Sequence, residues 1–334
     1  MKLANYSYFN PNIGSVEPDM DCSIIICTRN RASMLEKTFL AFQGVRVPDN
    51  LKVELIVADN GSIDNTAEVI SKACHPHMEI RHIYQPRPGK SRAQNTALAA
   101  ATGKVLLFTD DDVEPAGDWI EKMARPLLDG RCDAVAGRIL LGEELRRPWL
   151  TKMHELWLAV ESEPKGESPI LIGACMGLHR SVFDQIDPFD EELGPGASGF
   201  GEETLLWWQM KEAGLRILPV TDTFVIHHPE LSRLQRTSWL AAAARFGRTG
   251  AYLMYHWEHT SVGLPALQAS TVRAKLFLRR LFRREPPADF EGCPDWEMSY
   301  IMRLEMLRQL KIESRKSRNY GRRALRKKIS AKQG

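Results

Sequence analysis

From residue 21 to residue 113 the chain alternates short, continuous apolar runs with segments of helical periodicity. Residues 23–28 (SIIICT) have the pattern of a strand covered on both faces, and polar Arg29, Asn30 and Arg31 follow. Ser33 and Glu36 are spaced as a capping box, which predicts a helix running to Phe42. Residues 53–58 (VELIVA) predict a second strand that ends in the turn signal Asp59-Asn60-Gly61-Ser62, with Asp64 placed to cap a helix through Cys74. A short third strand is expected at 79–84 (EIRHIY), then a Pro-rich turn at 85–89 and an alanine-rich helix at 91–102 stopped by Gly103. Residues 105–109 (VLLFT) form the fourth strand. Strand alternating with helix at this spacing implies βαβ units and a mainly parallel sheet.

Beyond Asp112 the alternation weakens. A helix is expected at 119–128 and an extended segment at 134–141, whereas 143–168 mixes Pro, Trp and charge without a period. The run 170–179 (ILIGACMGLH) reads as a strand whose two glycines let it pass close to a ligand. Residues 191–201, rich in Gly, Pro and Ser, predict a loop able to move. A helix follows at 202–213 with Gly214 as its stop, then short strands at 216–220 and 224–226. From Thr237 onward the pattern is helical and basic. The chain therefore divides into a lead-in (1–20), two halves of one α/β domain (21–113 and 114–230) and a helical basic extension (231–334). No internal repeat is visible.

A chain of 334 residues that is 43% hydrophobic can bury a full core. Its six cysteines are scattered and form no CxxC pair, which argues against a zinc module or a disulfide framework and for a reducing compartment. Cys22, Cys27 and Cys175 lie in apolar runs and read as small core residues. The first 20 residues contain no apolar h-region, and no stretch approaches the ~20 apolar residues that span a bilayer. The expectation is a cytoplasmic protein. The formal charge of +3 hides an asymmetry: from Lys311 onward there are ten Lys or Arg against Glu313 alone. The body is therefore acidic and the tail basic, and the tail reads as mobile. The segment 273–284 (RAKLFLRRLFRR) sets apolar and basic residues on helical spacing, the pattern of a helix lying on an anionic membrane or packed on the body with its arginines outward. Nucleic acid is not an expected partner, since no aromatic interleaving or known module accompanies the charge.

Asp110, Asp111 and Asp112 directly follow the fourth strand, so their carboxylates emerge where open α/β sheets place ligands. Anions crowded at one strand tip repel one another, and hard oxygen ligands of this kind suit Mg²⁺ or Mn²⁺ together with the phosphates of a nucleotide. Neither a Rossmann G-x-G-x-x-G nor a Walker A loop is present.

Four blocks in order then carry a resemblance: CSIIICTRNR (22–31), ELIVADNGSIDNT (54–66), PGKSRAQNTALAAATGKVLLFTDDDV (88–113) and the series GACMGLHRSVF, GFGEET, AGLRILPV and VIHH (173–228). Together they span roughly residues 22–230. In their order and spacing the chain resembles a family 2 glycosyltransferase of bacterial type. That resemblance implies the GT-A (Rossmann-like) fold, a mixed, mainly parallel sheet flanked by helices, here with the helical basic C-terminal extension.

It also implies roles. Thr28 and Arg29 match the strand end that lines the nucleotide pocket, and Asp59 matches the acid that binds the base. Lys90 and Arg92 fall near the diphosphate in a segment where Gln94 replaces the arginine of many members. Asp110 would contact ribose or sugar, Asp111 falls beside it among the nucleotide-sugar-binding residues, and Asp112 would hold the metal. Gly201-Glu202-Glu203 resembles the "G-E-D" block that holds the catalytic base, with Glu203 first choice and Glu202 second. Side chains at i and i+1 diverge by about 100° on a helix, so only one can aim at the acceptor. Of Trp207 and Trp208, one is expected in the core and the other beside a sugar ring. His227, or His228 if the register slips, matches an additional metal or diphosphate ligand.

The implied activity is inverting, metal-assisted transfer of a single sugar from a nucleotide-diphosphate sugar, UDP-linked by expectation, to a hydroxyl on a glycan or lipid-linked acceptor. The processive "Q-x-x-R-W" signature is absent, the nearest string being Gln235-Arg236-Thr237-Ser238-Trp239. Two other classes remain: a sugar nucleotidyltransferase, which would want a glycine-rich loop after the first strand, and a catalytically idle nucleotide-sugar or glycan-binding protein.

Overall fold

The computed structural model describes residues 19–282 and 290–328. Most of the lead-in, Arg283 and Arg284 of the basic helix and the last six residues lie outside the described residues.

The first half is built as the hydrophobic pattern requires. In chain order it runs β1 (Met20–Thr28), α1 (Ala32–Phe42), β2 (Val53–Asp59), α2 (Thr66–Lys72), β3 (Glu79–Tyr84), α3 (Lys90–Ala100) and β4 (Gly103–Thr109). These strands are all parallel in the order β3-β2-β1-β4. The register sets Thr28 beside Asp59 and Asp59 beside Tyr84, so the carboxyl ends of the strands form one rim.

Both faces of this sheet are covered, which is why the strands are continuous apolar runs. Ile24, Ile26, Leu55, Val57 and Leu107 point to one layer with Leu35 and Phe39 of α1. The alternate residues Ile25, Ile56, Leu106 and Phe108 point to the other with Ala93 and Ala97 of α3. Complete burial of each such aliphatic or aromatic side chain is worth about 1.5–3 kcal/mol.

The second half continues the same sheet with mixed polarity. It contains β5 (Val113–Pro115), α4 (Trp119–Leu128), β6 (Ala134–Leu141), α5 (Lys152–Trp157), β7 (Met176–His179), α6 (Val182–Gln185), α7 (Glu202–Glu212) and β8 (Ile217–His227). β7 runs antiparallel to both β4 and β6, β8 runs parallel to β6, and β5 closes the far edge antiparallel to β8. The order is β3-β2-β1-β4-β7-β6-β8-β5.

Three local expectations are corrected. The Ser33–Glu36 capping box does not form, because the helix begins at Ala32 and Ser33 is already inside it. The first amide of α1, that of Ala32, donates instead to Asp64 Oδ2, while Asp64 Oδ1 accepts from Thr66 at the start of α2. The run 170–179 is a strand only over Met176–His179, its first part being a loop that passes the cavity described below. The two short strands at 216–220 and 224–226 are one strand, β8, with an irregularity opposite Gly137 and Arg138.

Three long helices follow: α8 (Arg236–Tyr252), α9 (Pro265–Leu281) and α10 (Asp295–Glu313). Trp239 and Ala243 of α8 and Met298 of α10 share a core with Trp157 of α5, so the extension is packed onto the α/β body. The tail is docked through residue 328, contrary to the expectation of mobility. Tyr320 Oη donates to Asp190 Oδ2 at 2.7 Å, Lys327 Nζ to Asp190 Oδ1 at 2.8 Å, and Gln209 of α7 donates to the Leu325 carbonyl at 2.8 Å.

Candidate active site

The carboxyl ends of β1 and β4, the loop before β7 and the start of α7 enclose a cavity of about 650 Å³. Its lining includes Thr28, Arg29, Lys90, all three aspartates, Glu202, Glu203 and His227. The parallel sheet gathers residues that are far apart in sequence, as open α/β sheets do.

The acid triplet is fixed by neighbours on β1, on α1 and on the loop between them. Thr28 Oγ1 donates to Asp111 Oδ2 at 2.6 Å, and Thr38 Oγ1 of α1 donates to the Asp111 carbonyl at 2.9 Å. Arg31 spans the next two carboxylates, with Nη1 2.6 Å from Asp111 Oδ1 and Nη2 2.6 Å from Asp112 Oδ2. Burial raises the Asp111 carboxyl, and Asp112 and Asp110 add to the rise against Arg31 and Thr28. At Asp112, burial works upward but is outweighed by His227 and then Arg31, which hold it well below the usual carboxylate range. Asp112 is thus an anion at any ordinary pH.

One oxygen of that anion has work left to do. Asp112 Oδ1 is buried without a hydrogen-bond partner, and His227 Nε2 lies 3.2 Å away. His227 Nδ1 is 2.8 Å from the Leu158 carbonyl, an acceptor, and so carries its proton. Nε2 therefore faces the oxygen: a protonated ring pairs with the carboxylate directly, and a deprotonated ring would offer its lone pair to a cation held between them. Ligand atoms of Asp110, Asp112 and His227 all lie within 4.8 Å of one another. Two carboxylates and an imidazole oriented through a backbone carbonyl fit Mg²⁺ or Mn²⁺. Burial pulls the His227 imidazole down, but Asp112 beside it carries it above the ordinary histidine value.

Lys90, the first residue of α3, joins this cluster to a second one. Its ammonium lies 3.0 Å from Asp110 Oδ1, 3.4 Å from Glu203 Oε1 and 3.9 Å from Glu202 Oε1. Burial opposes its charge, but the three carboxylates raise it well above the normal lysine value. Glu202 and Glu203 open α7 after Gly201, which has φ +93°, so both favour the positive end of the helix dipole. A Cβ at Gly173 would stand 2.2 Å from Glu203 Oε1, so a larger residue there would push that carboxylate out of its present place.

The two glutamates differ in environment. Glu202 is buried and its Oε2 has no partner. Burial, and then repulsion from Glu203, pushes its carboxyl up to about 8 against the pull of Lys90. This setting favours the protonated form of Glu202 over that of an exposed glutamate. Glu203 is the more open of the two, with its side chain 19% exposed.

The other expected residues are placed less simply. Arg29 is exposed and lines the cavity. Asp59 is 1% exposed and turned into its own loop, where Oδ1 accepts from the Ser62 amide at 2.8 Å and His82 Nε2 lies 3.6 Å from Oδ2. Its neighbour Asn60 lines the cavity instead. Arg92 points away, to Glu191 at 2.8 Å and the Pro88 carbonyl at 2.9 Å, which removes it from the cavity wall. His228 faces Glu144 at 2.8 Å. Trp207 and Trp208 both line the cavity, Trp207 packed on the sheet core and Trp208 on Trp257.

Arg31 and Arg233 were not anticipated. Arg233 lines the cavity and donates to the Trp157 carbonyl at 3.0 Å. For Arg31 a signal existed: three residues past β1, it meets acids just past the neighbouring parallel strand β4.

The sheet order and flanking helices are those of the GT-A fold. A mannosyltransferase from Pyrobaculum calidifontis, solved in complex with GDP-Man and Mn²⁺, superposes with a TM-score of 0.56 at 18% identity over 89% of each chain. Residues 23–187 match the family model described as Glycosyl transferase family 2, and the chain belongs to that family. The pre-mycofactocin glycosyltransferase of Mycobacterium tuberculosis (strain ATCC 25618 / H37Rv) is 28% identical over 75% of this chain, which spans 51% of that protein. The succinoglycan biosynthesis protein ExoM of Rhizobium meliloti (strain 1021) is 27% identical, with 70% of this chain and 75% of that protein covered.

Proposed function

We propose that this chain transfers a single sugar from a nucleoside-diphosphate sugar, UDP-linked in our reading, to a hydroxyl acceptor in glycan or glycolipid assembly, with inversion at the anomeric carbon. The observation that carries the reading is the meeting of two clusters in one cavity: Asp110, Asp112 and His227 on one side of the Lys90 ammonium, Glu203 on the other. Family membership supports the donor class.

Thr28, Asn60 and Arg29 stand where the nucleoside would bind, with Asp59 bracing that loop from behind. Asp110, Asp112 and His227 would hold the divalent ion, which when bound supplies Lewis-acid stabilisation of the departing diphosphate. Arg31 keeps Asp112 in place through its other oxygen. Lys90 offsets the charge of Asp110 and Glu203 and holds both at the floor of the site. Glu203 takes the proton of the acceptor hydroxyl as that oxygen attacks, a general-base contribution of about 10²–10⁴-fold. Glu202, enclosed, packs the start of α7.

We also propose that the protein works at an anionic membrane surface. Ala269 and Leu276 of α9 are buried, while Leu267, Phe277, Leu278, Leu281 and Phe282 are exposed. At about 100° per residue these five lie on the opposite side of the helix, with Arg273 and Lys275 at its borders. Among the described residues no helix is long and apolar enough to cross a membrane.

The test is nucleotide release from a panel of UDP- and GDP-sugars with and without Mn²⁺. Release of nucleoside diphosphate, by transfer or slow hydrolysis, is expected for one donor. Pyrophosphate chemistry would mean nucleotidyl transfer, binding without release would mean an idle protein, and either outcome overturns the reading.

A further inference from the structure

The polar groups named above sit at the strand ends and at the start of α7. The remaining wall of the cavity has a different character. Segments 156–159 and 170–173 contribute to it only Leu, Trp, Ala, Ile and Gly, and Phe200 and Phe246 complete it. The lining also holds Thr204 and Arg233, whose Nη2 donates to the Trp157 carbonyl.

A sugar can bind among apolar residues by laying its C–H face on an aromatic ring. Here protein already lies on both faces of Phe246 and on one face of Trp157, Phe200, Trp207 and Trp208. Phe246 is sandwiched between Trp157 at 4.6 Å and 23° and Phe200 at 4.0 Å and 7°. The Lys211 ammonium sits 4.5 Å from the Trp207 ring centroid, and Trp208 leans on Trp257 at 5.3 Å. A hydroxyl-rich ligand pressed on this wall would lose its water and find few partners, which is unfavourable. Leu156 and Ile170 are meanwhile 47% and 42% exposed beside the cavity, aliphatic surface that a bound apolar group would cover.

We infer that the acceptor is not a bare sugar: it carries an apolar group, alkyl or aryl, next to the hydroxyl that reacts, and that group lies against Leu156, Trp157, Ile170, Leu171 and the Phe200–Phe246 pair. This rests on the proposed transferase reading and specifies its acceptor. The polar end of the cavity keeps the donor, and the apolar wall selects what the hydroxyl is attached to.

Calorimetric titration tests it with three probes that share one sugar: methyl, phenyl and n-octyl β-D-glucoside, the last below its micellar concentration. UDP and GDP are first titrated with Mn²⁺, and the better nucleotide is then kept saturating. The octyl or the phenyl glucoside should bind at least ~10-fold more tightly than the methyl glucoside, a span that apolar pockets reach with few added carbons. Preference for octyl identifies a lipid-like acceptor and preference for phenyl an aryl one. In Leu156→Asp and Ile170→Asp, both at exposed positions, the advantage should vanish while nucleotide binding reports an intact site. If the three probes bind alike, or all fail to bind, or the advantage survives both substitutions, the inference is overturned. Failure of both nucleotides to bind sinks the transferase reading itself and is seen separately.

Discussion

His227 Nε2 lies 3.2 Å from Asp112 Oδ1, the oxygen of that carboxylate left without a hydrogen bond. With Nδ1 committed to the Leu158 carbonyl, the ring is held in the tautomer and orientation of a metal ligand. His227→Ala should therefore weaken Mn²⁺ binding by at least ~10-fold, and Asp112→Ala should abolish it with the fold retained. Electron paramagnetic resonance of free Mn²⁺ during titration measures both. Wild-type affinity in either variant would remove the cluster from the metal's path.

Arg31 compensates two buried aspartates at once, so its loss leaves their charge unopposed. Breaking a buried pair from one side costs about 3–5 kcal/mol, less here because Arg31 is partly exposed. Arg31→Met should lower the melting temperature, and Mn²⁺ should restore more of it than it adds to the wild type, because the ion then offsets both carboxylates. Thermal melts with and without Mn²⁺ decide this; an equal Mn²⁺ increment in both proteins would contradict it.

The glutamate pair makes a prediction with two readouts. Glu203→Gln should leave nucleotide binding near normal and slow transfer by at least ~10²-fold, whereas Glu202→Gln should keep most activity. The second readout is stability. Glu202 is raised from the usual 4.5 to about 8, so the folded state binds its proton more tightly than the unfolded chain does. Its favourable contribution is complete below the usual value and is lost as pH climbs through about 8. Glu202→Gln removes that loss, so the variant's melting temperature should gain on the wild type between pH 5 and pH 9. A constant gap across that range would show that the carboxyl is not perturbed.

Much of this was legible in the chain. Strands β1, β2 and β4 were clear because a strand covered on both faces is a continuous apolar run, and the acids at their ends followed. The segment 170–175 was misread for the same reason. Residues 170–173 line a cavity instead of joining a sheet, Ala174 and Cys175 enter the core without forming a strand, and Gly173 serves the close approach of Glu203. Arg31 was passed over as part of a polar loop because its partners lie 80 residues away and only the β1–β4 pairing brings them together. The tail was read by composition as solvated charge, yet Lys327 meets a buried aspartate 137 residues earlier.

That aspartate supports a prediction of its own. Asp190 accepts from Tyr252, Tyr320 and Lys327, and the loop beyond it reaches back to α3: Ser91 Oγ donates to the Leu193 carbonyl and the Lys90 amide to that of Pro195. Burial opposes the Asp190 charge, but Lys327 and then Tyr252 bring the group below the ordinary carboxylate value. Its contribution is therefore present above the ordinary range and lost as pH falls through it. Tyr320→Phe should cost about 1.5–3 kcal/mol, the worth of a hydrogen bond to a charged group. Ending the chain at residue 318 should expose the loop at 191–201 to proteases and reduce turnover, because Lys90 loses its brace. Unchanged cleavage and unchanged activity in the shortened chain would show that the tail is passive.

The exposed face of α9 leads to the last prediction. Leu267, Phe277, Leu278, Leu281 and Phe282 are too many large apolar side chains for one helix face to leave to water without a function. Part of the basic charge is unavailable for lipid, because Lys327 of the tail is paired with Asp190 and Arg280 of α9 with Glu297. Membrane affinity should therefore depend more on the apolar face than on the tail. Phe277→Ser with Leu281→Ser should abolish co-sedimentation with phosphatidylserine vesicles, whereas Lys311→Gln with Lys328→Gln, both exposed, should weaken it only modestly, at about 1 kcal/mol per surface charge at best. Added salt should reduce binding through the remaining arginines and lysines within a Debye length, about 8 Å at physiological ionic strength, without eliminating it. No pelleting of the wild type at low salt would remove the membrane from the proposed function, and full pelleting of the double serine variant would move the contact away from α9.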